Sequence, residues 1–196
     1  ARVHRMGGRA QVAPLVRELV QKGAETVVSM GGDGTFHDVV NGLLRDDGTL
    51  LDASKTAFAV LPAGTGGDLA QRTLKMTGEP EAAAKFLSEA VPRPFDLGRL
   101  EHLDHEGRPV TRLFANIASF GMSGRVDRLV AKGPAWLTGK AKYFVASSQA
   151  MLGWRNQHAT VLVDGVQLYD GPMLTTAVAN GRSFGGGMLV APDARP

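Results

Sequence analysis

The chain has 196 residues, 43% of them hydrophobic and 21% charged, a composition that excludes wholesale disorder and allows one generous domain or two small ones. Its 22 basic and 19 acidic side chains leave a net charge of +3, too small an excess to indicate nucleic-acid binding. Cysteine is absent, which excludes a disulfide framework and a thiolate metal site. No apolar run reaches the roughly 18 residues of a membrane span, and the opening ARVHRMGGRA lacks the apolar stretch of a signal peptide.

In chain order, Val12, Leu15, Val16, Leu19 and Val20 repeat at helical spacing, with Pro14 near the start and Gly23 as the stop. Thr26–Met30 reads as a buried strand. A glycine loop at 31–34 follows, and Thr35 is expected to cap a helix striped by Phe36, Val39, Val40 and Leu43. Ala57–Leu61 is a second apolar strand, leading into the loop PAGTGG at 62–67 and a helical DLAQRTL. A third helix is expected at about 80–90. This alternation predicts an α/β fold: a parallel sheet with helices on both faces and both glycine loops at the carboxyl edge, where ligands bind.

The character changes at Pro92-Arg93-Pro94. Two β-rich runs flank DHEG as an antiparallel hairpin, a helix is expected over about 139–152, and ATVLVDG and LTTAVAN are further strands. The expected domains are therefore 1–92, α/β, and 93–196, mostly antiparallel β. Arg125, Arg128, Lys132, Lys140, Lys142 and Arg155 lie in a segment with no acid between Asp127 and Asp164. The simpler reading is a solvated basic face. The sharper one is a patch that docks on anionic membrane, each basic residue adding about 1 kcal/mol.

The strongest local signal is strand, Gly31-Gly32-Asp33-Gly34-Thr35, helix. Glycines let the backbone approach a ligand closely, and the turn's N–H groups with the helix N-terminus form an anion site. Asp33 inside such a site needs a role: accepting a hydroxyl hydrogen bond, orienting a loop, or holding a metal-bound water. A plain turn with Asp33 as local cap is the alternative. The dinucleotide fingerprint fails because His37 and Leu69 stand where its last glycine belongs. A Walker loop fails because Ala141 stands where Ser or Thr must follow Gly139-Lys140. His102 and His105 have H-x-x-H spacing but fall in a polar turn, a solvated hairpin tip rather than a zinc site.

MGGDGTFHDVVNGLL resembles the nucleotide-binding motif of the diacylglycerol kinase catalytic domain, shared with sphingosine and ceramide kinases. LPAGTGGDLAQRTL, PFDLGRL, FANIASFGMSGRV and VANGRSFGGGMLVAPDA are similar to the family's later blocks, in order and across essentially the whole chain. The resemblance implies an α/β nucleotide domain and a β-rich lipid-binding domain with the active site between them. It implies transfer of the ATP γ-phosphoryl group to a hydroxyl of a diacylglycerol-like or sphingoid lipid, with Mg²⁺. Gly31, Gly32, Asp33, Gly34 and Thr35 would hold phosphates, with Gly64 and Thr65 on the adjoining loop. Asp33 and Asp68 would be catalytic, and Asp38 and Asp96 would face the substrate cleft; metal ligands are not identified. Expected partners are lipid and, weakly, a membrane surface, with a homodimer allowed and no nucleic acid. The expected location is cytoplasmic and peripherally membrane-associated. An NAD kinase-like phosphotransferase and a non-catalytic nucleotide-binding module are the alternatives.

Three departures stand out. Asp38 replaces the usual Glu, Gly67 replaces the Asn before the second-motif Asp, and the family's first strand and its later Asp-Gly block are expected outside these residues.

Overall fold

The structure is a computed structural model. It describes residues 2–63, 67–76, 79–134, 136–137 and 139–196. The chain divides into two compact units, one of Ala1–Asn116 with Asn180–Pro196 and one of Ile117–Ala179.

In the first unit, helix α1 (Val12–Gln21) follows a short 3₁₀ turn, Arg9–Gln11. Its stripe buries Val12, Val16 and Val20, and Gly23 closes it at φ +77°, a left-handed conformation that favours glycine. Strand β1 (Thr26–Gly31) pairs in parallel with β2 (Ala57–Pro62), Val27 opposite Phe58 and Met30 opposite Leu61. Helix α2 (Asp33–Asn41) links them by way of a loop and packs on β1 and α1. The packing against α1 is close at Gly42, where a Cβ would stand 2.6 Å from the Cβ of Val16.

A π-type turn, Asp68–Thr73, follows the second glycine loop, and helix α3 (Pro80–Glu89) packs on β2. Strands β3 (Gly98–Leu103) and β4 (Pro109–Phe114) form the expected antiparallel hairpin, with exposed His102 beside its tip. The core gathers Val16, Val20, Val39, Val40, Val60, Leu69 and Leu113. The expectation of a fully buried β1 is not met: Val27 and Ser29 are buried, whereas Val28 and Met30 are 47% and 64% exposed. Side chains alternate along a strand, and among the described residues the core covers one set only.

In the second unit, β5 (Ile117–Gly121) pairs antiparallel with β8 (Thr175–Ala179), and β6 (Gln157–Val163) with β7 (Val166–Met173) through a tight Asp164-Gly165 turn. Helices α4 (Met122–Lys132) and α5 (Gly139–Met151) pack together around Val126, Ala146 and Ala150. Strand β7 and helix α4 were not expected from sequence. The alternation of β7 is interrupted by Gly171 and Pro172, whereas α4 does carry an apolar stripe, Met122, Val126, Leu129 and Val130 at helical spacing. Back in the first unit, the two-residue strands β9 (Ser183–Phe184) and β10 (Met188–Leu189) bracket three glycines.

Candidate active site

Strand β1 delivers the chain to Gly31, where any side chain would collide with Thr35: an added Cβ would lie 2.8 Å from the Thr35 Cβ. Helix α2 starts at Asp33, two residues before the expected cap, and the amides of Thr35 and Phe36 donate to the Gly32 carbonyl at 3.0 and 3.2 Å. Gly32 at the N-cap supplies no side-chain acceptor. The first-turn amides of Asp33 and Gly34 have no intrahelical partner, and they sit at the positive end of the helix dipole. Thr35 does not cap; it stands within the first turn against Gly31.

Asp33 does not cap its own helix either. Its carboxylate accepts from the amides of Asp68 at 3.0 Å and Leu69 at 3.2 Å, bringing the start of the second helical turn onto the first glycine loop. Burial pushes the Asp33 carboxyl above its ordinary range, the two amides pull it back, and the neighbouring Asp68 charge adds to the rise. An ionised carboxylate offers about four lone-pair sites, so acceptor capacity remains.

Asp68 is 5% exposed. Its carboxylate accepts from the Gly186 amide at 2.9 Å and the Ser183 hydroxyl at 3.5 Å, and pairs with Arg72 Nε at 3.2 Å. Asp68 thereby pins the Ser183–Gly187 turn. Gly187 has φ +107°, and a Cβ there would lie 2.8 Å from Arg72 Nε, so this position needs glycine for both reasons. Residues Gly181–Gly185 carry Gly-x-Ser-x-Gly spacing, yet Ser183 is 1% exposed, lies in β9 and is bonded to Asp68. A hydrolase elbow requires an exposed serine on a strand-to-helix turn, and none is formed.

Asp38, one turn along α2, takes a bidentate pair from Arg9, Nε at 2.6 Å and Nη2 at 2.9 Å. Asp96 is exposed just before β3, and its main-chain carbonyl accepts from Asn180 Nδ2. The fold thus brings Asp33 and Asp68 together, sets Asp38 on the same helix as Asp33, and leaves the Asp96 carboxylate outside their hydrogen-bond network. Gly64 and Thr65 lie outside the described residues.

Several supporting residues carried no sequence signal. Asn41 donates to the Leu113 carbonyl at 2.9 Å and accepts from its amide at 3.0 Å, acting as a strand partner from the end of α2. Arg72 and Arg9 also went unassigned. The triple glycine was the one visible hint of the turn held by Asp68.

The uncapped α2 terminus and the close glycine backbone fit nucleotide phosphates. Among the described residues no group of three or more His, Asp or Glu side chains converges as a metal site.

Residues 1–100 match the diacylglycerol kinase catalytic domain, and residues 116–196 match the YegS C-terminal NAD kinase beta sandwich-like domain. This chain belongs to the diacylglycerol kinase catalytic-domain family. It is 30% identical over 191 residues to the diacylglycerol kinase of Mycobacterium tuberculosis H37Rv, covering 96% of this chain and 57% of that protein. It is 29% identical over 181 residues to a Pseudomonas aeruginosa PAO1 protein named "Probable lipid kinase YegS-like", covering 92% and 54%. A solved structure from Bacillus anthracis str. Sterne, provisionally assigned as a diacylglycerol kinase, superposes with TM-score 0.66 at 20% identity, covering 97% of this chain and 59% of that one. The chain therefore spans somewhat more than half the length of these relatives. The structural likeness supports the mixed fold of a parallel sheet with helices followed by antiparallel strands. No helix among the described residues is long and apolar enough to cross a membrane.

Proposed function

We propose that this chain carries the nucleotide site of an ATP-dependent lipid kinase, which transfers the γ-phosphoryl group to a hydroxyl of a diacylglycerol-like or sphingoid lipid. The observation that carries the proposal is the Gly31–Thr35 loop at the uncapped start of α2, with Asp33 turned away to the second loop. A side-chain oxygen at the cap would compete with phosphate for those amides; among the described residues none does.

Phosphoryl transfer needs in-line positioning and charge neutralisation more than covalent chemistry. Mg²⁺, when bound with the nucleotide, supplies charge neutralisation. Gly31, Gly32, Gly34 and Thr35 hold phosphates, with Gly64 and Thr65 on the adjoining loop. Asp33, half-buried with a raised affinity for protons, accepts or orients the proton of the lipid hydroxyl. Asp68 contributes by fixing the Ser183–Gly187 turn, and Asp38 and Asp96 belong to the rim of the site. Functionally, 1–92 serve nucleotide and 93–196 serve lipid. Residues 93–116 and 180–196 nonetheless fold with the nucleotide half.

The test is transfer from γ-labelled ATP, with Mg²⁺, to a panel of dispersed lipids and NAD. Labelled lipid is expected. Labelled NAD without labelled lipid would replace this reading with an NAD kinase-like activity, for which the description of the second matching domain gives a specific motive. ATP binding without any labelled product would support a non-catalytic nucleotide-binding module.

A further inference from the structure

Arg9 is the first residue of the 3₁₀ turn preceding α1, and its side chain crosses to α2. Three of its guanidinium contacts are fixed. Nε and Nη2 grip the Asp38 carboxylate at 2.6 and 2.9 Å, and Nη2 also donates to the Gly34 carbonyl at 3.4 Å. A Cβ on Gly34 would stand 3.8 Å from Nη2 and 3.9 Å from Cζ, so the guanidinium lies directly beside the glycine loop's first helical turn. A guanidinium has five N–H donors. The two on Nη1 have no protein acceptor among the described residues, and the side chain is 72% exposed.

Such an exposed pair adds little to stability. What it does is hold a cation in place. An isolated Asp38 carboxylate one turn behind a phosphate site would repel the phosphates. Arg9 cancels that charge, and it sits on the side of Asp38 nearer the loop because it also reaches Gly34. The pairing with Asp38 further strengthens the hold on its proton.

We propose that Arg9 is a phosphate-contacting residue of the nucleotide site, its guanidinium aimed by Asp38 and Gly34 so that Nη1 serves the polyphosphate entering the Gly31–Thr35 loop. This rests on the nucleotide reading of that loop. It makes Asp38 a positioning residue rather than one that touches substrate.

The experiment is calorimetric titration of ATP over a series of salt concentrations, on the unaltered protein and on Arg9→Gln, Arg9→Lys, Asp38→Asn and Gly31→Val. The Arg9 and Asp38 variants are checked for an unchanged melting temperature, and Gly31→Val, whose side chain meets Thr35, is checked for a retained fold by circular dichroism. Arg9→Gln is expected to weaken ATP binding roughly tenfold, as loss of a charge-assisted contact does, and to flatten the salt dependence of binding. Arg9→Lys should restore part of both, and Asp38→Asn should weaken binding by a smaller factor. Gly31→Val should abolish it. Loss in Gly31→Val with unchanged affinity in Arg9→Gln would overturn the role of Arg9 and leave the loop as the nucleotide site. Weakening by Arg9→Gln with the salt dependence intact would overturn it too, since a structural role alone moves affinity without moving that slope. Failure of the unaltered protein to bind ATP, or full binding by Gly31→Val, would overturn the loop reading itself and this proposal with it.

Discussion

At the scale of single residues, Asp33 is a carboxylate shared between two tasks. It accepts the amides of Asp68 and Leu69, which joins the two glycine loops, and its burial makes it a stronger base than an ordinary aspartate. The two consequences run in opposite directions with pH. Because its value in the folded state is raised, the stability it contributes is fully present below the ordinary carboxylate range, about 3.9, and is lost as pH rises through the raised value. Acceptance of a hydroxyl proton needs the ionised form and therefore appears over the same rise. Lipid phosphorylation is expected to lose its rate on the acid side at a pH above the usual aspartate range. Asp33→Asn is expected to lower kcat by about 10²–10⁴-fold, the usual contribution of a general base. A pH–rate series on both proteins checks this; an Asp33→Asn rate equal to that of the parent would remove Asp33 from the chemistry. His37 illustrates the same physics in a base. Burial lowers its affinity for protons, and the neutral ring is within reach of Asn41 Nδ2 at 3.4 Å.

At the scale of elements, the strand–loop–helix unit β1–α2 is joined to the β3–β4 hairpin by shared core packing around Leu113 and by the side chain of Asn41. Asn41 closes the end of α2 onto both main-chain groups of Leu113, a residue only 2% exposed. Truncation would leave a buried amide and a buried carbonyl unpaired, each worth about 1–3 kcal/mol. Asn41→Ala is accordingly expected to lower unfolding stability by about 2–4 kcal/mol in urea titrations, well beyond an ordinary surface substitution. An unchanged midpoint would mean that water reaches Leu113. The same device recurs at Asp68, which fastens a glycine turn far away in sequence, and at Asn180, whose Nδ2 reaches the Ala115 carbonyl at 3.1 Å. Polar side chains on short elements thus add long-range ties to the aliphatic core of this unit.

At the scale of the whole molecule, the second unit exposes both basic and large apolar side chains. Helix α4 carries Arg125, Arg128 and Lys132. The α4–α5 region also leaves Trp136, Phe144, Met151 and Leu152 at 80%, 74%, 64% and 76% exposure. Met122 and Tyr143, by contrast, pack against the small core of that unit. We propose that these residues attach the protein peripherally to anionic membrane, which predicts sedimentation with vesicles containing anionic lipid and release as salt rises past the screening range. Combined charge reversal at Arg125, Arg128 and Lys132 is expected to abolish sedimentation. Equal binding to neutral vesicles would assign the contact to the apolar residues alone.

The sequence by itself determined the family, the order of the elements as far as α3 and the phosphate-loop candidate, because these are local. Gly31–Thr35 between an apolar strand and an amphipathic stripe is legible from spacing, and ordered blocks such as LPAGTGGDLAQRTL and VANGRSFGGGMLVAPDA identify a lineage without any contact being known. Only the tertiary structure decided what the carboxylates do. Asp33, Asp38 and Asp68 look alike in a sequence, yet one joins two loops, one grips an arginine 29 residues away and one is buried beneath a turn 118 residues away. Strand β7 was hidden, since it is specified by its partner β6 more than by its own periodicity; the stripe of α4 was legible, and only its packing against α5 was not. Local pattern follows from covalent geometry and side-chain polarity. The partner of a buried charge follows from which long-range contacts close, and no window of sequence contains both ends of such a contact.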